Sequence, residues 1–326
     1  YDFFLQKFDS SYNLQWKRKI STANQDWSYC EFKVDSSGNI YLLITTDANA
    51  ATATTSMTTL VKYNSSGTIQ WQRKIATSSS SPTRYTIGQD IVVDSSQNIF
   101  TVYSVTSASN ASYWDHYILK HNSSGTLQWQ KQINGTLFAN SGVQISIDSS
   151  DIIYISFQGF ERQMQKQGGP WAAQSHVILN MDTDANVIAQ KTISPLVTLS
   201  AYYNFYPFGM IVYGDNLYFA TTYQYQPNGV DWHADIIFGK ISKDLNKNNG
   251  YYNFNNANLQ GLVLETGRTD SGEGPYYLST GSLYEGAGTM TDSAPASGEM
   301  VFQSTSVYNF NQFTISSQSL STSTIK

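Results

Sequence analysis

Four histidines offer the side chains best suited to metal binding or proton transfer in this chain of 326 residues. They are His116, His121, His176 and His233. Their spacings along the chain match none of the short His and Cys patterns that hold zinc. We therefore expect each to be solvated or hydrogen-bonded within the fold, and we predict no metal site, no cofactor and no catalytic histidine.

Carboxylates recur at one place in a repeated motif, where they could be read as calcium ligands. Asp35, Asp94 and Asp148 each precede a Ser-Ser pair. The oxygen-rich spacing of a calcium loop is missing. An Asp or Asn ahead of Ser-Ser-Gly can instead accept hydrogen bonds from the backbone that follows, while Gly takes a positive φ. We interpret the three aspartates as caps of tight turns.

The single cysteine, Cys30, is the one candidate thiol nucleophile. It opens a stretch in which Cys30, Phe32 and Val34 alternate as in a strand, and no base is identifiable near it. A lone thiol of this kind usually behaves as a small core residue. The sequence also lacks a Gly-rich phosphate loop, a G-x-S-x-G elbow and a clustered carboxylate pair. We predict a protein without enzymatic activity.

Two hairpin motifs repeat along the chain and must position all of these residues. The first reads L-V-K-Y-N-S-S-G-T-I-Q-W-Q-R-K-I at 60–75, and it recurs at 5–20, at 118–133 and, in a diverged form, at 178–193. The second reads F-K-V-D-S-S-G-N-I-Y-L-L at 32–43, and it recurs at 91–102, 145–156 and 210–219. Each motif is two short runs of β-branched and aromatic residues around a polar turn, which indicates a β-hairpin.

Two hairpins make a four-stranded antiparallel unit, and stacking such units around an axis gives a β-propeller. We predict an all-β propeller of five to seven four-stranded blades, six being favoured, with the last incomplete or replaced by a C-terminal tail. Residues 1–280 are assigned to the propeller, in units near 2–56, 57–114, 115–174, 175–234 and 235–280. Residues 281–326, rich in Ser, Thr and Gly, are assigned to a partial blade or docking tail.

Two residue types recur at fixed positions of the first hairpin. Trp16, Trp71 and Trp129 occupy one position, and we expect them to fill space between blades rather than to stack on a ligand. Lysines occupy the other position, and they could form a ring facing a central channel or be solvated strand ends, which we favour. They are Lys7, Lys62, Lys120 and Lys240.

Composition limits the classes of partner. The chain has a formal net charge of −5 and no run of Lys or Arg, so it offers neither a basic footprint for nucleic acid nor a polybasic patch for anionic lipid. No apolar run approaches the roughly 18 residues that would cross a bilayer. With 14% aromatic and only 13% charged residues, the chain has ample material for a large core. We expect no nucleic-acid binding and no membrane insertion.

Two segments resemble known propeller repeats: N-S-S-G-T-I-Q-W at 64–71 and V-D-S-S-Q-N-I-F at 93–100. They are similar to the bacterial SBBP repeat and to the PQQ-like repeat with its D-x-x-T-G-x-x-x-W core, and the likeness covers residues 3 to about 224. The K-Y-N-S-S-G-x-x-Q-W-Q style, with the Ser/Thr-rich stretch 283–324, also resembles virion structural proteins of cyanobacterial and other marine tailed phages. Quinoprotein dehydrogenases share PQQ-like repeats, but they normally have more blades and a pair of adjacent cysteines.

The segments between hairpin motifs are long, dissimilar and rich in aromatic residues. Loops held on a rigid scaffold are where binding residues concentrate, and aromatic rings beside Asn, Gln and Asp suit sugar rings or a protein partner. The alternative is that these rings only pack their own loops. The candidate ligand-binding residues are Trp114, Trp171, Tyr203, Tyr206, Tyr225 and Trp232.

Three functions are compatible with these features. We favour a structural protein of a virion or cell surface whose propeller binds a host glycan or contacts neighbouring subunits. We expect it to be part of a homo-oligomer or a larger assembly. A passive extracellular scaffold without ligand is the alternative. A quinoprotein-like propeller enzyme is the third reading, and the single Cys and the small number of units disfavour it.

Overall fold

The computed structural model describes strands and tight turns in most of the chain. The described residues are 3–22, 29–47, 56–77, 85–106, 114–138, 142–160, 174–195, 203–225, 233–245, 250–254, 262–266, 300–304 and 313–317. None of them belongs to a helix long and apolar enough to cross a membrane. The described strands fall into two compact units that meet in sequence at Gly88 and Gln89.

The first unit holds a hairpin and a complete four-stranded sheet. The hairpin is β1 (Phe3–Phe8) and β2 (Leu14–Thr22), and the sheet is β3 (Tyr29–Val34), β4 (Ile40–Asp47), β5 (Ser56–Tyr63) and β6 (Ile69–Thr77). Two strands from the C-terminal region lie in this unit as additional edges. β20 (Met300–Ser304) pairs with β6, and β21 (Phe313–Ser317) pairs with β2.

The second unit holds three four-stranded antiparallel sheets. The first is β7 (Thr86–Val93), β8 (Ile99–Thr106), β9 (Trp114–His121) and β10 (Leu127–Phe138). The second is β11 (Gln144–Ile147), β12 (Ile153–Phe160), β13 (Gln174–Met181) and β14 (Val187–Pro195), with β19 (Leu262–Thr266) added on β14. The third is β15 (Tyr203–Tyr213), β16 (Asn216–Tyr225), β17 (His233–Ser242) and β18 (Gly250–Phe254).

Successive sheets of the second unit pack face to face, as blades of a propeller do. Ile153, Ile155 and Phe157 of β12 join one core cluster with Phe100 and Val102 of β8. On the opposite face of the same sheet, Tyr154 and Ile178 join a second cluster with residues of β16 and β17. The two faces alternate along one strand because side chains alternate with period two. The prediction of an all-β fold with four-stranded antiparallel propeller blades is confirmed.

Each complete sheet is built from the second hairpin motif followed by the first. The sheet β3–β6, for example, joins the hairpin at 32–43 to the hairpin at 60–75. The sheets are therefore offset by one hairpin from repeat units counted from residue 2. The hairpin β1–β2 is a first motif whose sheet contains no β-strand beyond β1 among the described residues. The favoured total of six blades stays a prediction.

Candidate binding site

The motif turns are capped by their own Asp or Asn, as predicted. Asp35 Oδ1 accepts hydrogen bonds from the backbone N–H groups of Ser37 and Asn39, both at 2.9 Å. Burial opposes ionisation of Asp35, but hydrogen bonds from Asn39, Tyr41 and Ser37 outweigh it and lower its pKa. Asp148 Oδ1 likewise accepts from the backbone N–H groups of Ser150 and Ile152, and Asp94 Oδ1 accepts from that of Asn98. These carboxylates stabilise turns, and no group of three or more His, Cys, Asp or Glu arranged to hold a metal occurs among the described residues.

One position of the turn takes a positive φ in every motif that the structure describes. Glycine fills it at Gly38, Gly67, Gly125 and Gly214, where φ is +58° to +78°. Other residues fill it elsewhere, and Tyr12 is the most bulky of them, with φ of +62° and 88% of its surface exposed. A large side chain in this conformation is strained. We call this end of each sheet the turn end.

The repeated lysines stack on aromatic rings, so the interpretation of Lys62 and Lys120 as solvated strand ends is wrong. Lys62 is only 8% exposed, and its Nζ lies 5.1 Å from the ring centre of Tyr41, its partner on β4. Lys120 Nζ lies 5.5 Å from the ring centre of Phe100, its partner on β8. An ammonium over a ring face is attracted electrostatically by the electrons of the ring. Lys7, at the same position of β1, is exposed.

The repeated tryptophans join neighbouring sheets, as predicted for Trp16 and Trp129. Trp16 Nε1 donates to the carbonyl of Ser65, 3.2 Å away, and Lys7 Nζ donates to the same oxygen at 3.0 Å. Trp129 Nε1 and Lys120 Nζ likewise share the carbonyl of Thr183, at 3.2 and 2.9 Å. In both cases the lysine and tryptophan are opposite each other across a hairpin and bind the next motif turn. The turn end is thus a contact between sheets.

A buried polar pair recurs at the same register in three sheets. The paired positions are Thr45 with Thr58, Ser104 with His116, and Gln158 with His176. The two threonine hydroxyls are 3.0 Å apart and both lie 3.0 Å from the backbone N–H of Gly88, which donates to them. All six side chains are at most 3% exposed.

Two described Ser–His contacts involve the histidines of these pairs, and both are structural rather than nucleophilic. Ser104 Oγ lies 3.1 Å from His116 Nδ1, and Ser156 Oγ lies 2.6 Å from His176 Nε2. Burial lowers the pKa of His116 to about 4 and that of His176 to about 3. Rings that are 0% exposed and resist protonation can neither meet a substrate nor serve as a base near neutral pH. The expectation of hydrogen-bonded histidines is confirmed for these two.

Cys30 packs against the core cluster of the first unit, which includes Leu42, Ile44 and Tyr63. Burial, with a smaller contribution from the charge of Glu31, raises the pKa of its thiol to about 11. A thiol is nucleophilic only as thiolate, so Cys30 is protonated and unreactive at neutral pH. This agrees with its interpretation as a small packing residue.

The six predicted ligand-binding residues have different outcomes. Trp114 begins β9 and is 9% exposed, so its ring belongs to the packing of the sheet. Tyr206 is half-buried on β15, opposite Thr222. Tyr203 and Tyr225 are directly paired between β15 and β16. Trp171 and Trp232 lie outside the described residues.

Tyr203, Tyr206 and Tyr225 lie on strands, which corrects their assignment to long loops. The segment from Tyr203 to Tyr213 continues as one strand because its β-branched and aromatic residues favour an extended backbone. Pro207 is accommodated since β15 is an edge strand and its register shifts between Pro207 and Gly209. Binding residues would therefore be held by a paired sheet and not by a loop.

Strand register gathers aromatic and polar positions at the end of this sheet opposite its turn. Tyr203 pairs with Tyr225, which pairs with His233, and two residues along each strand Phe205 pairs with Tyr223, which pairs with Asp235. Paired positions, and positions two apart, share one face of a sheet. We call these six positions the aromatic end. The sequence placed Tyr203 and Tyr225 among the candidates, but the contribution of Asp235 emerges only from the register.

No protein-family model, no curated protein and no solved structure matches the chain.

Proposed function

We propose that the protein is a non-enzymatic structural protein of a virion or cell surface that recognises a glycan at the aromatic end. The supporting observation is the register that brings four aromatic positions together with His233 and Asp235 on one face of a sheet. Rings stack on the apolar faces of sugars, and an adjacent carboxylate accepts hydrogen bonds from sugar hydroxyls. Subunit contacts in a larger assembly are part of the same proposal.

The chemistry of the other described groups favours this position over the rest of the sheets. The turn aspartates are occupied by backbone N–H groups, and His116 and His176 are buried. Lys62 and Lys120 are stacked on rings. The aromatic end combines instead, on paired strands, the residue types that oligosaccharide sites use.

A glycan array probed with the purified chain tests the proposal. We expect binding that falls at least tenfold in Tyr203→Ala and in Tyr225→Ala, since one stacked ring contributes about 1.4 kcal/mol to binding. Asp235→Asn should weaken binding while all rings remain. Melting temperatures show whether each variant is folded.

Tyr12→Ala is the matched control for those variants. Tyr12 is an exposed tyrosine at the turn end of another hairpin, so its removal should leave the array signal unchanged. Trp114→Ala is unsuitable as a probe of recognition, because loss of a buried ring destabilises the sheet itself. Folded Tyr203→Ala and Tyr225→Ala variants with undiminished binding would contradict recognition at the aromatic end. An unaltered chain that binds no glycan on the array would favour the passive scaffold instead.

A further inference from the structure

Strands are added at the edges of three of the described sheets. We call the second strands of the first hairpin motif, β2, β6, β10 and β14, the outer strands, and we call the edge that faces away from the hairpin partner the outer edge. β21 pairs with β2, β20 with β6 and β19 with β14, all antiparallel. Each added strand has five residues and belongs to the same compact unit as the outer strand that it extends.

The three additions share one register. Each starts at the basic residue that lies two positions after the repeated Trp or its counterpart, and it covers five residues of the outer strand. The first pairs are Arg18 with Ser317, Arg73 with Ser304 and Lys191 with Thr266. The middle pairs are Ile20 with Ile315, Ile75 with Phe302 and Ile193 with Leu264. A register shared by three sheets indicates that the motif itself defines where a strand is added.

The added strands also share a residue pattern. They read L-V-L-E-T at 262–266, M-V-F-Q-S at 300–304 and F-T-I-S-S at 313–317. The first and third positions are apolar, the second is β-branched, the fourth is polar and the fifth carries a hydroxyl group. Alternate positions of a strand lie on one face of the sheet. The outer edge therefore selects a short extended segment by its side chains as well as by backbone hydrogen bonds.

β10 offers the same five positions, at residues 131–135, but no described strand pairs with its outer edge. β10 has twelve residues, whereas β2, β6 and β14 have nine each. Its pairing with β9 is regular up to Ile133 and resumes only at Phe138. An extended backbone with unpaired N–H and C=O groups is a template for strand addition.

The last strand of the third sheet of the second unit does not offer this register. Tyr251 of β18 is opposite Lys240, as Trp129 of β10 is opposite Lys120. β18 ends at Phe254, the counterpart of Gln132, so it contains only two of the five positions. Among the described residues, β10 is therefore the outer strand with a complete and unfilled register.

Exchange of strands between copies of this chain does not create a donor for that edge. Among the described residues, each copy has three added strands and four outer strands with the full register. A second copy can fill the edge of β10 only by opening one of its own edges. The number of filled edges then stays the same, so such an association gains no pairing. A segment of a different protein adds pairing without this loss.

We propose that the outer edge of β10 binds an extended segment of a different protein as a fifth strand of the sheet β7–β10. The shared register places Ser or Thr of that segment opposite Lys131, and apolar residues opposite Ile133 and Gly135. Ile133 belongs to a buried core cluster, and paired positions share one face of a sheet. The inference rests on the subunit contacts of the proposed function and is independent of glycan recognition.

A synthetic peptide of residues 298–306 probes this edge, because it contains β20 with its residue pattern. Photoreactive benzoylphenylalanine replaces Phe302, the position expected opposite Ile133. After irradiation with the full chain, mass spectrometry locates the linked residues. We expect links within 131–135, at least tenfold more abundant than those of a peptide with the same composition in scrambled order. Links confined to β2, β6 or β14 would show only exchange with the added strands, and they would overturn the proposal, as would the absence of links.

Two N-methylated forms of the peptide are matched controls for backbone pairing. The N–H groups of a strand alternate between its two edges. One form is methylated at the backbone nitrogens of 301 and 303, and the other at those of 300, 302 and 304. We expect one form to lose its links at least tenfold and the other to keep them. Loss in both forms, or in neither, would contradict a strand ladder.

Hydrogen exchange gives a second readout on the unmodified protein. The amides of 131–135 that do not donate to β9 should exchange at least tenfold more slowly once the peptide is bound. Slow exchange of these amides before the peptide is added would mean that this chain or a second copy already fills the edge, and it would overturn the proposal. Bound peptide should leave the glycan-array signal unchanged, so failure of this inference and failure of glycan recognition are distinguishable.

Discussion

The two ends of the four-stranded sheets differ in the interactions that their side chains make. At the turn end, Asp35 caps its own backbone, and Trp129 and Lys120 bind the carbonyl of the next turn. At the aromatic end of β15–β17, aromatic positions are paired across neighbouring strands, and they do not belong to the repeated motif residues that make these turn contacts. Positions that repeat in sequence serve packing between sheets, whereas the positions of the proposed recognition site vary from sheet to sheet.

The largest expected effect comes from removing the Trp129 contacts at the turn end. Trp129→Ala removes a ring that lies 5.9 Å from Phe100 and a hydrogen bond to Thr183. We expect the free energy of unfolding to fall by about 3 kcal/mol, measured by urea denaturation. Trp129→Phe, which keeps most of the ring area, should lose less. A fall in the free energy of unfolding below about 1 kcal/mol for Trp129→Ala would show that these turn-end contacts add little to the packing between sheets.

Acid should weaken the buried polar pairs that contain His116 and His176. The pKa values of His116 and His176 are lowered by burial, to about 4 and about 3, so the unfolded chain binds more protons below pH 6.5. Stability is full above that pH and falls as pH decreases toward 4, by up to about 1.4 kcal/mol per pH unit for each histidine. Denaturation at pH 7, 6 and 5 measures this slope, and His116→Gln should reduce it. An unchanged slope in that variant would contradict the assignment.

Substituting alanine for two turn glycines compares the cost of backbone strain alone with the cost of strain plus a steric contact between sheets. Gly67→Ala places its Cβ 3.0 Å from the ring of Trp16, whereas Gly214→Ala meets nothing within 4 Å. Both have positive φ, so we expect a loss of about 1 kcal/mol for Gly214→Ala and about 1.5 kcal/mol for Gly67→Ala. Thermal unfolding compares them. Equal losses would mean that the Trp16 contact adds nothing.

The smallest expected change in stability comes from relieving backbone strain at Tyr12 of the turn end. Its φ of +62° strains a tyrosine that is 88% exposed, so Tyr12→Gly should stabilise the protein by about 0.5 to 1 kcal/mol. Gln97→Gly, at the same position of another turn with φ of +63°, is the matched control. A loss of stability in Tyr12→Gly would reveal contacts that favour the ring.

Local features of the fold could be predicted from the sequence, and features that depend on register could not. The turn caps follow from residues within five positions of one another, and Asp35 was predicted correctly. The stacking of Lys62 on Tyr41 joins residues 21 positions apart, which only strand pairing brings together. The prediction that Lys62 is a solvated strand end failed for this reason. Trp114 was chosen for its place between motifs, but β9 begins there and buries it.

The candidate site shows the same division. Aromatic composition was enough to select Tyr203 and Tyr225, but their direct pairing and the alignment of Asp235 with Tyr223 follow from the register of β15–β17. The bulge near Pro207, which lets an edge strand run through a segment expected to be a loop, has no simple sequence signal.

Tyrosine nitration followed by peptide mass spectrometry tests most directly whether the aromatic end is open for recognition. Tyr12 and Tyr213, 88% and 76% exposed, calibrate the fast limit, and Tyr41 and Tyr103, both 0% exposed, calibrate the slow one. We predict that Tyr203 and Tyr225 react at rates close to the fast limit. Rates as slow as those of Tyr41 and Tyr103 would mean that these rings pack inward, and they would contradict the proposed binding surface.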